Sequence, residues 1–282
     1  MSPTGQHIPT NPPPWDVLVL VAHRLDPKTL AVASCVCKSW AASMSSDCLW
    51  EPICSMHYPS LSSLHWADPS VPFRRLFSMG FTASKCRNRC PPPPHLSLDS
   101  LDFIIDIRAL RLPIATVAKP GEELKLELGP NNLFQFDIEN TSPDHLSVWE
   151  VPCLVRVTWN VVIKGWGGVF TVMDCNANVS LIPGAEWWFS EELPPPAGWC
   201  VSGGVSGVVA DMKVVFCGQR ESEGKLRVEK ASVGMLSALS WRYLSVDDGL
   251  RNSWGIKVPV SCSWNWRKLL HLRDLVNPAL TF

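Results

Sequence analysis

The chain has 282 residues, 46% of them hydrophobic and 18% charged, so it can bury one large core or two ordinary ones. With 25 basic and 26 acidic side chains its formal net charge is −1, which excludes bulk electrostatic attraction to nucleic acid or to an anionic membrane. Eleven cysteines, an odd number spread from Cys35 to Cys262, do not read as a disulfide framework, and reduced thiols are expected.

Residues 1–13 are polar and proline-rich and lack the basic start and apolar run of a secretory signal. The apolar run from Val17 to Ala22 falls far short of the roughly 20 residues a membrane span needs. A disordered tail on a soluble protein of the cytoplasm or nucleus is therefore expected. From Pro14 to Cys54 the chain reads as short helices with explicit punctuation. Asp16 can cap a helix whose Val17, Leu18, Val21 and Leu25 fall near one face. Asp26-Pro27 ends it and starts a second carrying Leu30 and Ala33, because Asp caps well and Pro is tolerated at the first helical position. Cys37-Lys38-Ser39-Trp40 is placed within a third helix, and Asp47 caps a fourth.

Taken together, Pro14-Trp15-Asp16-Val17-Leu18, Leu25-Asp26-Pro27-Lys28-Thr29-Leu30, Val36-Cys37-Lys38-Ser39-Trp40 and Asp47-Cys48-Leu49-Trp50 resemble the F-box in both order and spacing. The sequence departs from the family in having Pro13 where a Leu is usual. The resemblance implies a helical unit over residues 14–54 that docks on a SKP-type adaptor and, through it, on a cullin scaffold. The chain would then be a non-catalytic substrate receptor of an SCF-type ubiquitin ligase, recruiting an unknown protein substrate, with no cofactor, metal, nucleic acid or membrane partner. By the same resemblance the adaptor-facing residues are Pro14, Val17, Leu18, Val21, Leu25, Leu30 and Leu49, with Trp40 and Trp50 bracing the module. Physically, so short a module cannot bury its own apolar surface, and a partner groove would satisfy it.

Residues 55–94 read as an irregular and helical connector ending in Pro91 to Pro94, a stiff extended segment that makes a natural domain boundary. Beyond it, over 95–282, the apolar period changes from about 3.6 to 2. Strands are expected over 101–107, 123–128, 133–138, 154–163, 169–173, 186–189, 208–216 and 226–233, separated by Gly, Pro and Asn turns. The segment from Cys262 to Val276 reads as helical. The expected fold class is α+β: a small helical F-box followed by a mainly antiparallel β-sandwich or barrel-like domain with a C-terminal helix. No propeller or solenoid repeat is visible. The stretches Leu96 to Ile107 and Tyr243 to Leu250 are similar to a group of plant F-box proteins with a β-rich C-terminal region of unknown ligand.

Ten of the 14 tryptophans lie beyond Pro94. Most are expected to fill the core, but neighbours on a strand point to opposite faces, so one of Trp187 and Trp188 should face outward. These two are the candidate substrate-binding residues, and they open an alternative reading in which the chain is a Trp-rich lectin-like or protein-binding module. Cys86 and Cys90 lack a second pair with metal-ligand spacing. Gly204-Val205-Ser206-Gly207-Val208 matches neither a phosphate loop nor a nucleophile elbow, and reads as a hairpin or bulge. The acidic pairs Glu122-Glu123, Glu191-Glu192 and Asp247-Asp248 read as solvated turns.

Overall fold

The computed structural model describes residues 15–85, 97–109, 112–128, 131–139, 146–147, 149–182, 184–193, 207–218 and 225–253. Pro14, the Cys86 and Cys90 pair, the Pro91 to Pro94 run and the helix expected from Cys262 to Val276 lie outside these residues. The chain divides into two units, with the division after Ile53.

The first unit is helical: α1 (Trp15–Ala22), α2 (Pro27–Ala33), α3 (Lys38–Met44) and the start of α4 (Asp47–His57). Asp26 caps α2 as its sequence implies, its carboxylate accepting from the Lys28 and Thr29 amides at 3.0 and 3.1 Å, with Pro27 at the first position. The Thr29 hydroxyl, and then those amide bonds, hold the Asp26 carboxyl below the usual carboxylate range. Cys37, expected inside a helix, instead precedes α3 in extended conformation, and its thiol accepts from the Trp40 amide at 3.5 Å. The core of this unit holds Leu18, Ala22, Leu30, Ala31, Met44, Leu49 and Trp50, whose indole N–H donates to the Met44 carbonyl at 2.7 Å.

In the second unit two antiparallel sheets share one core. The first has the order β2 (Leu112–Pro120), β1 (Leu101–Ala109), β5 (Trp149–Ile163), β6 (Gly168–Leu181). The second has the order β3 (Gln135–Glu139), β9 (Lys225–Ser237), β8 (Val208–Gly218), β7 (Glu186–Leu193), with β4 (Leu146–Ser147) also paired to β9. Among the described residues neither sheet closes into a barrel. Strand alternation explains the shared core: Phe103, Ile105 and Ile107 of β1, with Val157 and Trp159 of β5, face Ala210, Met212 and Val214 of β8. The last described helix is α8 (Val246–Ser253).

One expected strand is a helix. Residues 123–128 carry leucines at alternate positions, yet 123–126 belong to α7 (Gly121–Leu126) and 127–128 follow its end, with Pro120 as its N-cap and Glu122 and Glu123 in its first turn, where carboxylates suit the positive end of a helix. Leu124 is buried and Leu126 is exposed, so the period of 2 there is accidental.

β1 is buried on both faces because its outer side is covered. The residues read as a connector supply the cover: α5 (Pro59–Ala67) packs on β1 and β2, and α6 (Phe73–Lys85) packs on β6. The tight β5–β6 turn is tied to the same layer. Its Gly165 adopts φ +68°, and the buried Trp166 donates its indole N–H to the Asp68 carbonyl at 3.0 Å.

Candidate functional site

The residues expected to face an adaptor fall into two groups. Leu18, Leu30 and Leu49 are buried, and Leu30 has no exposed surface, so these side chains hold the helices together and offer nothing to a partner in this conformation. Val17 and Val21 are about half exposed, Leu25 is partly buried, and Leu20, one turn after Val17, is 69% exposed. Val32 on α2 and Val36 just after it are also exposed. α1 is thus apolar on its outward side as well as its inward one, which in water signals an unpartnered binding face. Leu20, Val32 and Val36 are exposed apolar residues outside the set expected to face an adaptor. For Leu20 the signal was an α1 with no polar residue after Asp16.

Trp187 and Trp188 point to opposite sides of β7, as their adjacency requires. Trp187 packs against the core, and Trp188 is 58% exposed. Trp188 already carries a cationic neighbour. Its cross-strand neighbour Lys213 places its ammonium 5.3 Å from the ring centroid while bonding Glu186 at 2.8 Å.

A polar cavity of about 70 Å³ opens on the outer face of the first sheet. Its floor comes from three strands: Asp106 and Arg108 on β1 and Arg156, Thr158 and Asn160 on β5 at alternate positions, and Thr171 and Asp174 on β6, either side of a shift in the β5–β6 register. Its rim is His57, Tyr58 and Ser84 from the helical layer. The Asp106 carboxylate accepts from the amide and hydroxyl of Ser60 at 2.9 and 2.7 Å and from the Thr116 hydroxyl at 3.3 Å. Burial pushes its carboxyl pKa up, against the pull of those bonds and of Arg108. Arg156 grips Asp174 with two bonds of 2.7 Å, which raises the guanidinium pKa further. Arg108 is different. It donates one N–H to the His57 carbonyl, its Nε is buried without a partner, and desolvation lowers its pKa. Burial, then the two arginines, lowers the pKa of His57 and keeps its ring neutral at neutral pH. Sequence reading passed over this cluster, although polar residues at alternate positions in otherwise apolar strands are a visible signal.

Among the described residues no group of three or more His, Cys, Asp or Glu side chains is placed to hold a metal ion, and no helix is long and apolar enough to cross a membrane.

Comparison with known proteins places the helical unit. Residues 14–56 match the family model described as F-box-like. Over 251 residues the chain is 29% identical to a protein of Arabidopsis thaliana described as a probable F-box protein, At5g04010, covering 87% of this chain and 82% of that relative. The F-box protein At5g39250 of the same plant is 32% identical over 149 residues, 51% of this chain and 56% of the relative. The F-box protein SNE, also from Arabidopsis, is 44% identical over 50 residues, 17% of this chain and 32% of its own length. The chain therefore carries an F-box-like domain at residues 14–56 and is related along most of its length to an Arabidopsis F-box protein.

Proposed function

We propose that this chain is the substrate receptor of an SCF-type ubiquitin ligase. Its helical unit binds a SKP-type adaptor, which connects it to a cullin scaffold, while the β-rich unit recruits a protein substrate in the cytoplasm or nucleus. F-box domains in general bind SKP-type adaptors, and this module has the surface such docking needs. The observation that carries the reading is the outward apolar side of α1, with Val17, Leu20 and Val21 in water on an F-box-like unit. Burying these side chains in a groove contributes roughly 1.5–3 kcal/mol for each one fully covered.

In this role the chain performs no bond chemistry. It holds a substrate lysine near a charged ubiquitin-conjugating enzyme and so raises the local concentration of the reacting groups. The test is co-purification of the full chain with a SKP-type adaptor, comparing wild type with a Val17→Asp, Val21→Asp double substitution. Retention of the adaptor by wild type and its loss by the double variant, with an unchanged circular dichroism spectrum, is the expected result. A wild-type chain that retains no adaptor would overturn the reading.

A further inference from the structure

We propose that the cavity floored by Arg108, Thr158 and Asn160 is a binding site for one small oxyanion group, a carboxylate or a phosphate. This inference uses the second unit alone and stands apart from adaptor binding.

The argument starts from hydrogen-bond supply. The carboxylates that line the cavity are already committed: Asp106 to Ser60 and Thr116, and Asp174 to both arms of Arg156. Asn160 accepts the Thr171 hydroxyl on its Oδ1 at 2.7 Å, which directs its amide nitrogen to other acceptors. Arg108 carries a full charge, bonds only a backbone carbonyl, and leaves its Nε buried without an acceptor. A buried guanidinium N–H without an acceptor is costly, and an oxyanion in the cavity would supply one. The cavity's two carboxylates are thus committed, while the Arg108 Nε–H is a donor without an acceptor.

Charge points the same way. Arg156 and Asp174 cancel. Asp106 offsets part of the Arg108 charge, but burial raises its pKa and its oxygens bond Ser60 and Thr116 rather than Arg108. His57 contributes a neutral ring on the rim. Size sets the remaining limit. One water needs about 10–15 Å³ of such space, so about 70 Å³ holds a handful of heavy atoms: a carboxylate or phosphate group fits and a whole nucleotide does not. The planar fork of Arg108 suits either group.

The group can belong to a free anion or to an acidic or phosphorylated side chain. The experiment uses the full chain in chloride at constant ionic strength. It titrates phosphate, acetate, N-acetyl-phosphoserine amide and N-acetyl-aspartate amide, following the melting temperature and the heat of binding. Saturable binding of at least one probe is expected. Tighter binding of the blocked amino acids than of the free anions assigns the group to a peptide, and the reverse assigns it to a small molecule. Arg108→Gln should weaken binding about tenfold or more, with Arg108→Lys in between. Arg108 also bonds the His57 carbonyl, so Thr158→Val serves as a second variant. It leaves that bond intact, should keep the melting temperature in chloride, and should weaken binding several-fold. Equal effects of all four probes and chloride, or undiminished binding in both Arg108→Gln and Thr158→Val, would overturn the proposal.

Discussion

Asp106, in the middle of β1, caps a helix 46 residues before it: its carboxylate takes both the backbone amide and the hydroxyl of Ser60, the second residue of α5. The residue preceding α5, Tyr58, supplies no side-chain cap of its own, so the sheet provides what the local sequence does not. This contact fastens the helical layer to the outer face of the first sheet and shapes one wall of the polar cavity.

Removing the cap should be expensive. Asp106→Ala leaves the Ser60 amide and hydroxyl buried without an acceptor and is expected to cost about 2–4 kcal/mol. Asp106→Asn keeps an acceptor for the amide and should cost less. The pH response separates the two effects. Burial raises the Asp106 pKa above the ordinary 3.8, so the native state holds this proton more tightly than the unfolded chain does. Stability from this group is therefore present at low pH and is lost as pH rises through the raised native value. Urea denaturation of wild type and Asp106→Asn across that range, followed by tryptophan fluorescence, should show the wild type losing stability relative to the variant as pH rises.

Within the helical unit, burial predicts a clean partition. Leu30→Ala and Leu49→Ala should destabilise the module by about 2–5 kcal/mol each, because both side chains are enclosed by the module itself. Leu20→Ser lies on the open side of α1 and should leave stability within about 0.5 kcal/mol while reducing adaptor retention. Thermal melts paired with adaptor pull-down check both halves.

Gly80 of α6 lies directly against Leu61 of α5 and the Tyr58 ring. A Cβ there would lie 2.9 Å from the Leu61 Cδ1 and 3.0 Å from the Tyr58 ring, both side chains packed in the helical layer. Gly80→Val is expected to cost about 1–3 kcal/mol by overpacking and to displace Tyr58 at the cavity rim. Denaturant unfolding measures the first effect, and weakened oxyanion binding reports the second.

Trp188 is decorated on its outer side by Lys213, not buried by it. Trp188→Ala should lower stability by no more than about 1 kcal/mol, because only a partly exposed cation–π contact and some strand packing are lost. A glycan array probed with wild type should give no signal that this substitution removes. A signal that it does remove would restore the lectin-like reading.

Local chemistry made the helical module legible in the sequence. Asp26-Pro27 is a cap and a helix start whatever surrounds it, and the four F-box submotifs stand in fixed order along a short stretch. The change of apolar period to 2 likewise announced an antiparallel β domain, since alternation is a property of each strand alone. The same alternation misled at residues 123–128, where a proline cap and two glutamates produced a helix. Which apolar residues of the module meet water, and which close its core, could not be read from spacing, because Leu18 and Val17 are equivalent until α2, α3 and α4 are packed. Tertiary structure alone decided the polar cavity. Arg108 comes from β1, Arg156 and Asn160 from β5 and Ser60 from α5, and the register of β1 on β5, together with the seat of α5 on the sheet, brings the unpartnered Arg108 Nε, its neighbouring donors and a committed carboxylate around one cavity.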